Sequence, residues 1–154
     1  MKTYPLILTI LVLLGTAVPV AAQGDKDAVK SVIERETTAF FGVDKKAWQS
    51  FWLQSGYTYW SYSDSTGGSF VEGTANIQKN FEEYFVTAKP SKSKIEREWL
   101  EIRIYGKGAY VRFIQKVIDE LDHDITSEVR VLEKDKDGKW KIVCLSAIAK
   151  YPAP

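Results

Sequence analysis

Residues 95–119 read IEREWLEIRIYGKGAYVRFIQKVID. Apolar and polar side chains alternate on both sides of Gly106 and Lys107, the period of two that sends successive side chains of a strand to opposite faces. The break between the two runs is short and contains glycine, as a two-residue hairpin loop requires. With that loop, Ile104 pairs with Ala109, Ile102 with Val111 and Leu100 with Phe113. One face is then apolar, and the other holds Glu101, Arg103, Tyr105, Tyr110 and Arg112. A slip of one residue would exchange the two faces, so the pattern specifies the register.

The alternation recurs in residues 125–133 and 140–151, joined by a turn at residues 135–138. This second hairpin places Val129, Val131, Trp140, Ile142, Cys144 and Ile148 on the apolar face. Glu128, Arg130, Lys141, Val143 and Leu145 fall on the other. Glu101, Arg103, Arg112, Glu128 and Arg130 are accordingly expected as cross-strand ion pairs on the outside of the sheet.

Upstream, the period changes to that of a helix. From residue 25 to 41, Ala28, Val29, Val32, Ile33, Phe40 and Phe41 recur at helical spacing, ending near Gly42. Asp44 is placed to cap a second, short helix carrying Ala47, Trp48, Phe51 and Trp52. Residues 57–62 suit a strand, and residues 64–69, with Gly67 and Gly68, a turn-rich loop. Thr74 is expected to cap a third helix with Ile77, Phe81, Tyr84 and Phe85 on one side, stopped before Pro90. The expected fold class is therefore α+β: three N-terminal helices on a strongly curved antiparallel sheet.

The first residues carry a different message. Lys2, an apolar run from Leu6 to Leu14, and small residues up to Ala22 have the form of a cleavable secretory signal peptide. The run is shorter than the roughly 20 residues that span a bilayer. Gln23 follows, where a lipoprotein would need Cys. The expected organisation is a signal peptide at 1–22 and one domain at 23–154, periplasmic or secreted and not lipid-anchored. Residues 1–22 contain one cation and no acid, so 20 basic and 20 acidic residues remain. That balance argues against a nucleic-acid partner or an anionic membrane surface. The single Cys144 permits no internal disulfide.

Three helices covering the apolar face would enclose a space reached by few polar groups, which is the usual character of a small-molecule site. The expected lining is Trp48, Trp52, Tyr57, Tyr59, Phe113, Gln115, Ser127, Cys144 and Ser146. Core packing accounts for most of the aromatic group Trp48, Trp52, Tyr57, Tyr59, Trp60 and Tyr62, with one or two left to stack on a ligand. Asp119, at the end of an inward row, is the candidate catalytic carboxylate. Asp122, His123 and Asp124 are consecutive and read as a solvated turn, so no metal is assigned. Cys144, with the one His in another loop, reads as an inert thiol.

Gly42-Val43-Asp44 at the helix bend, Glu72-Gly73-Thr74-Ala75-Asn76-Ile77 before the third helix, and Asp137-Gly138-Lys139-Trp140-Lys141-Ile142-Val143 in the last hairpin together resemble the nuclear transport factor 2-like superfamily, in its SnoaL-like branch. The resemblance spans nearly all of residues 23–154. It implies a cone-shaped roll with a pocket at the open end, often dimeric through the outer sheet face. The superfamily includes ketosteroid isomerase, scytalone dehydratase, limonene epoxide hydrolase, polyketide cyclases and non-catalytic binding or association domains. Its enzymes use carboxylates, tyrosines or histidines in an apolar cavity, and many relatives have His where this chain has Cys144. The expected function is an exported domain binding a small apolar or aromatic ligand, as a homodimer without metal or organic cofactor. Two alternatives stand beside it. One is a cofactor-independent isomerase, dehydratase or cyclase using Asp119 and a Tyr; the other is a structural dimerisation module whose apolar face is filled by its own side chains.

Overall fold

Helix α1, Val20–Phe41, turns one stripe inward: Val29 and Ile33 are fully buried, and Glu36, Thr37 and Ala39 lie in the same buried row. It stops sharply at Gly42, whose N–H donates to the Thr38 carbonyl at 2.9 Å. A Cβ at Gly42 would stand 2.8 Å from that oxygen, so only glycine fits the approach. Val43 then takes φ 57°, the left-handed region, and bends the chain into α2, Lys45–Ser50. Asp44 caps α2 by accepting from the Ala47 N–H at 2.9 Å.

The structure, a computed structural model, describes residues 20–119 and 123–149. Beyond α2 come β1 (Tyr59–Asp64), β2 (Gly67–Glu72), α3 (Thr74–Asn80), α4 (Glu82–Thr87), β3 (Lys94–Tyr105), β4 (Gly108–Ile118), β5 (His123–Lys134) and β6 (Trp140–Ala149). The six strands form one sheet in the order β2-β1-β6-β5-β4-β3, antiparallel except where β1 runs parallel to β6. The fold is the expected α+β roll, with helices packed on an open curved sheet. Residues 1–19 of the expected leader and residues 120–122 of the expected turn lie outside the described residues.

Two local readings change. Residues 67–72 are a strand, because a turn at Ser65 and Thr66 folds β2 back on β1; Asp64 accepts there from the Thr66 N–H at 2.8 Å. The third helix is broken at Phe81 into α3 and α4. Its N-cap is Gly73 at φ 81°, and the Thr74 side chain makes no capping bond. The Thr74 hydroxyl instead lies 2.8 Å from the buried Thr58 hydroxyl and accepts from the Ser55 N–H at 3.1 Å. This knot ties the α2–β1 connection to the start of α3.

The registers of both long hairpins contain a bulge, and the bulges decide which side chains face the helices. In β3 the pairing shifts between Trp99 and Glu101, so Trp99, not Leu100, opposes Phe113. Leu100 is 44% exposed. In β6 the partner of Val131 is Cys144 and that of Leu132 is Ile142, which leaves Val143 as the extra residue. Ile142 is also bonded to the chain after α2, through Leu53 N–H to Ile142 O (3.0 Å) and Ile142 N–H to Phe51 O (2.8 Å), whereas Cys144 pairs with Tyr59 of β1. The bulge thus falls where β6 exchanges one neighbour for another.

A bulge reverses the facing of everything beyond it. Beyond these two, Arg97 of β3 and Leu145 and Ala147 of β6 face inward; Glu128 and Arg130 of β5 do so because Leu132, not Val131, stands opposite Ile142 and pairs with the buried Ala109 of β4. The expectation that Glu128, Arg130 and Leu145 face outward, and that Val129, Val131, Cys144 and Ile148 face inward, is corrected accordingly. Replacing Thr74 with Val should cost about 1–3 kcal/mol, since it strips the partners of a buried hydroxyl and an amide. Urea unfolding of the two proteins measures it, and an unchanged midpoint would refute the role given to this knot.

Candidate functional site

Between the helices and the wide end of the sheet lies a cavity of about 280 Å³. Phe40 and Phe41 of α1, Trp48 of α2, Trp52, Trp60 and Tyr62 of β1, Phe81, Leu145 and Ala147 supply its walls. Strand parity explains the choice from β1: Trp60 lies beside Leu145 and Tyr62 beside Ala147, all inward. Phe40 stacks on Tyr84 at 4.5 Å and meets Phe81 edge-on at 5.4 Å, while Phe81 also contacts Trp48 and Trp60 at 5.5 and 5.1 Å. This aromatic cluster fastens α3 and α4 over the side of the cavity.

The polar side of the cavity is charged. Arg130 sits with its side chain 4% exposed, and its Nε and Nη2 donate to Glu128 Oε2 at 3.0 and 2.6 Å. Glu128 Oε1 accepts from the Thr126 hydroxyl at 3.0 Å. From across the cavity, Glu36 of α1 brings Oε2 to 3.5 Å from Arg130 Nη1, and its Oε1 accepts from Trp48 Nε1–H at 2.8 Å. Two carboxylates therefore share one guanidinium, with an indole fixing the more remote of them. Burial, the largest influence, pushes the Glu36 carboxyl above its ordinary range; Glu128 adds to it, and Arg130 and the Trp48 bond oppose it. Arg97 and Arg130 lie against the same Phe113 ring, at 5.7 and 5.9 Å. Burial and Arg130 lower the pKa of Arg97.

Several polar atoms in this region are left over. Arg130 Nη1, Trp52 Nε1, Gln115 Oε1, and Arg97 Nε and Nη2 are buried with no hydrogen-bond partner among the described residues. Arg130, Trp52 and Gln115 line the cavity. Buried polar atoms are normally satisfied, so such a cluster marks a place where a ligand can complete the bonding.

Of the residues expected to line a pocket, Trp48, Trp52 and Gln115 do. Phe113 is fully buried in the core beneath the arginines. Ser127, Cys144 and Ser146 lie on the opposite face of the sheet; Ser146 accepts from the Ser61 hydroxyl at 2.9 Å there. The Val143 bulge is what turned Cys144 and Ser146 away. Burial raises the pKa of the Cys144 thiol. Tyr57 is 62% exposed and donates to Glu133 at 2.8 Å, and Tyr59 stacks on Phe70 at 6.1 Å. Asp119 is exposed at the end of β4 and does not line the cavity. The carboxylates that do are Glu36, Glu128 and the exposed Asp124. Among the described residues no group of His, Cys, Asp and Glu is arranged to hold a metal ion. Glu36 carries a signal that the sequence did offer: it lies seven residues after Val29 and four before Phe40, in the middle of the apolar stripe of α1.

No protein-family sequence model matches the chain, and neither does any curated protein. Its similarity is to solved structures. An NTF-2 like protein of unknown function from Shewanella oneidensis superposes with a TM-score of 0.67 at 16% identity, over 80% of this chain and 98% of the other. A ketosteroid isomerase-like protein from Erwinia carotovora gives 0.63 at 14% identity, over 83% and 98%. A nuclear transport factor 2-like superfamily protein from Salmonella enterica gives 0.63 at 19%, over 86% and 95%. The fold is thus the one shared by nuclear transport factor 2-like and ketosteroid isomerase-like proteins, and identities this low speak to the fold alone.

Because native Glu36 holds its proton more tightly than the unfolded chain, stability should fall as pH rises from the unfolded value of about 4.3 through the higher native value, then level off. Glu36→Gln should flatten that decline. Urea midpoints of both proteins from pH 4.5 to 8 give the comparison, and parallel slopes would remove Glu36 as the cause.

Proposed function

We propose that this chain is an exported, SnoaL-like protein that binds a small molecule with an apolar body and a polar end. The observation that carries the reading is the coexistence, in one cavity, of aromatic walls with buried donors on Arg130 and Trp52 that lack partners. A cavity of about 150 Å³ already admits benzene, so 280 Å³ accommodates a substituted ring or a short chain. The leader-like residues 1–22 support export. We further propose a homodimer packed through the outer sheet face. Val129, Val131 and the 56% exposed Ile148 give that face an apolar strip.

Ala147 lines the cavity and is 7% exposed, so Ala147→Phe should fill the space from within. Native mass spectra of the host-purified protein should show a retained small molecule that the variant loses, with little change in the unfolding midpoint. A wild type that carries no added mass, and gains no stability from any member of a compound library, would favour the structural alternative. Ile148→Asp should convert dimer to monomer in sedimentation velocity. A wild type that is already monomeric at high concentration would end the dimer reading.

A second reading is kept for one observation, the pairing of Glu36 with Glu128 through Arg130. A buried carboxyl whose pKa is raised, set beside a second carboxyl, can divide acid and base roles with it in a cofactor-independent isomerase, dehydratase or cyclase. The carboxylates would be Glu36 and Glu128, with Asp119 outside the chemistry. Turnover of a substrate identified from the retained ligand should drop at least 100-fold in Glu36→Gln and stay unchanged in Asp119→Asn.

A further inference from the structure

The unpartnered atoms are unequal in kind. Arg130 Nη1, Trp52 Nε1, and Arg97 Nε and Nη2 are donors, and only Gln115 Oε1 is an acceptor. Of the three that line the cavity, Arg130 Nη1 and Trp52 Nε1 are donors and Gln115 Oε1 is an acceptor, so a ligand that completes the bonding brings more acceptors than donors. Charge narrows the choice. Arg130 holds Glu128 through two short bonds but meets Glu36 only at 3.5 Å, without a hydrogen bond, through Nη1. When Glu36 carries a proton, the guanidiniums of Arg97 and Arg130 outnumber the one buried carboxylate beside them, Glu128, while Asp124, which also lines the cavity, is exposed to solvent.

We propose that the occupant is a monocarboxylic acid with an apolar body, whose carboxylate accepts from Arg130 Nη1, and that its binding is coupled to uptake of one proton by Glu36. The inference rests on the small-molecule reading above. An ionised Glu36 and a bound carboxylate would compete for the same Nη1 and repel one another in a site with little water. A proton taken from solvent onto the Glu36 carboxyl removes that repulsion, and no other bond is made or broken. Glu36 is already biased toward the protonated form by its burial and by Glu128. The groups facing it are Trp48 from α2, Arg130 and Glu128 from β5, Arg97 from β3, and its neighbour Thr37, whose hydroxyl lies 3.5 Å from Oε2. The Tyr62 phenol and Asp124 line the same cavity.

Isothermal titration of the host-purified protein with 4-phenylbutanoate and with 4-phenylbutanamide, from pH 5.5 to 8, tests this. The acid is ionised over that whole range, since carboxylic acids of this kind titrate at about 4–5. The acid should bind at least 10-fold more tightly than the amide at the lowest pH. Its affinity should weaken with rising pH by as much as about ten-fold per unit, the limit for one linked proton, while that of the amide stays level. Heats in two buffers of different ionisation enthalpy should report proton uptake for the acid alone. Glu36→Gln should make acid binding independent of pH, and Arg130→Met should erase the preference for the acid. Should Arg130→Met fail to fold, the proton count and pH series on the unaltered protein decide the matter. Equal or tighter binding of the amide, or acid binding without proton uptake, would overturn the inference and leave the cavity a small-molecule site. Binding of neither compound would overturn it as well, and native mass spectra of host-purified protein would then show whether a neutral occupant keeps the broader reading.

Discussion

A buried guanidinium is the constraint around which the wide end of this molecule is organised. Arg130 has almost no contact with solvent, so it has to find its counter-charges inside the protein. The first, Glu128, comes from its own strand two residues back, where the period of two places it on the same face. The second, Glu36, comes from α1 and carries Trp48 of α2 with it. One side chain thereby joins the sheet to both helices that cross it. Removing a single partner would leave a charge uncompensated in a nearly dry interior, so the three residues stand or fall together.

The same arrangement explains why the interior is not uniformly oily. Toward the narrow end, Val29, Ile33, Val111, Leu132 and Ile142 close up with no exposure. Toward the wide end the helices stand off, and aromatic rings from α1, α2, β1 and the start of α4 line the space that remains. Packing energy is concentrated at one end and polar chemistry at the other. The fold itself is compatible with many activities, and what is particular to this chain is the set of side chains at its wide end.

Two bulges and the register of β5 put those side chains there. Without the shift at Trp99, Arg97 would face outward, and without the extra residue at Val143, Leu145 and Ala147 would not share a face with Arg130. Bulges also bend the strands that contain them, so the curvature that opens the cavity and the set of residues lining it have a common origin. The Val143 bulge is set by a contact distant in sequence: Phe51 and Leu53 bind Ile142 just before β1 takes over the edge of β6.

Much of the fold was legible in residue order. Period-two runs gave β3 to β6 with their turns, helical spacing gave α1, Asp44 gave the cap of α2, and their succession gave the α+β roll. These features are local, decided by backbone geometry and by which side chains recur at a fixed spacing. The lining was legible only in part, through Trp48, Trp52 and Gln115. Glu36 was in view on the apolar stripe of α1, but a glutamate there acquires meaning only when a cation faces it. Arg130 and Glu128 looked like surface ion pairs because Val131 was placed on the face of Ile142, whereas Leu132 is the residue opposite Ile142. What the sequence by itself determined was the kind and order of most elements, with β2 and the break of the third helix at Phe81 excepted. Which face of β5 and of the far half of β6 turns inward was decided by the tertiary structure alone, because the register of β5 and the bulge in β6 depend on neighbouring segments, and a one-residue slip reverses every side chain beyond it.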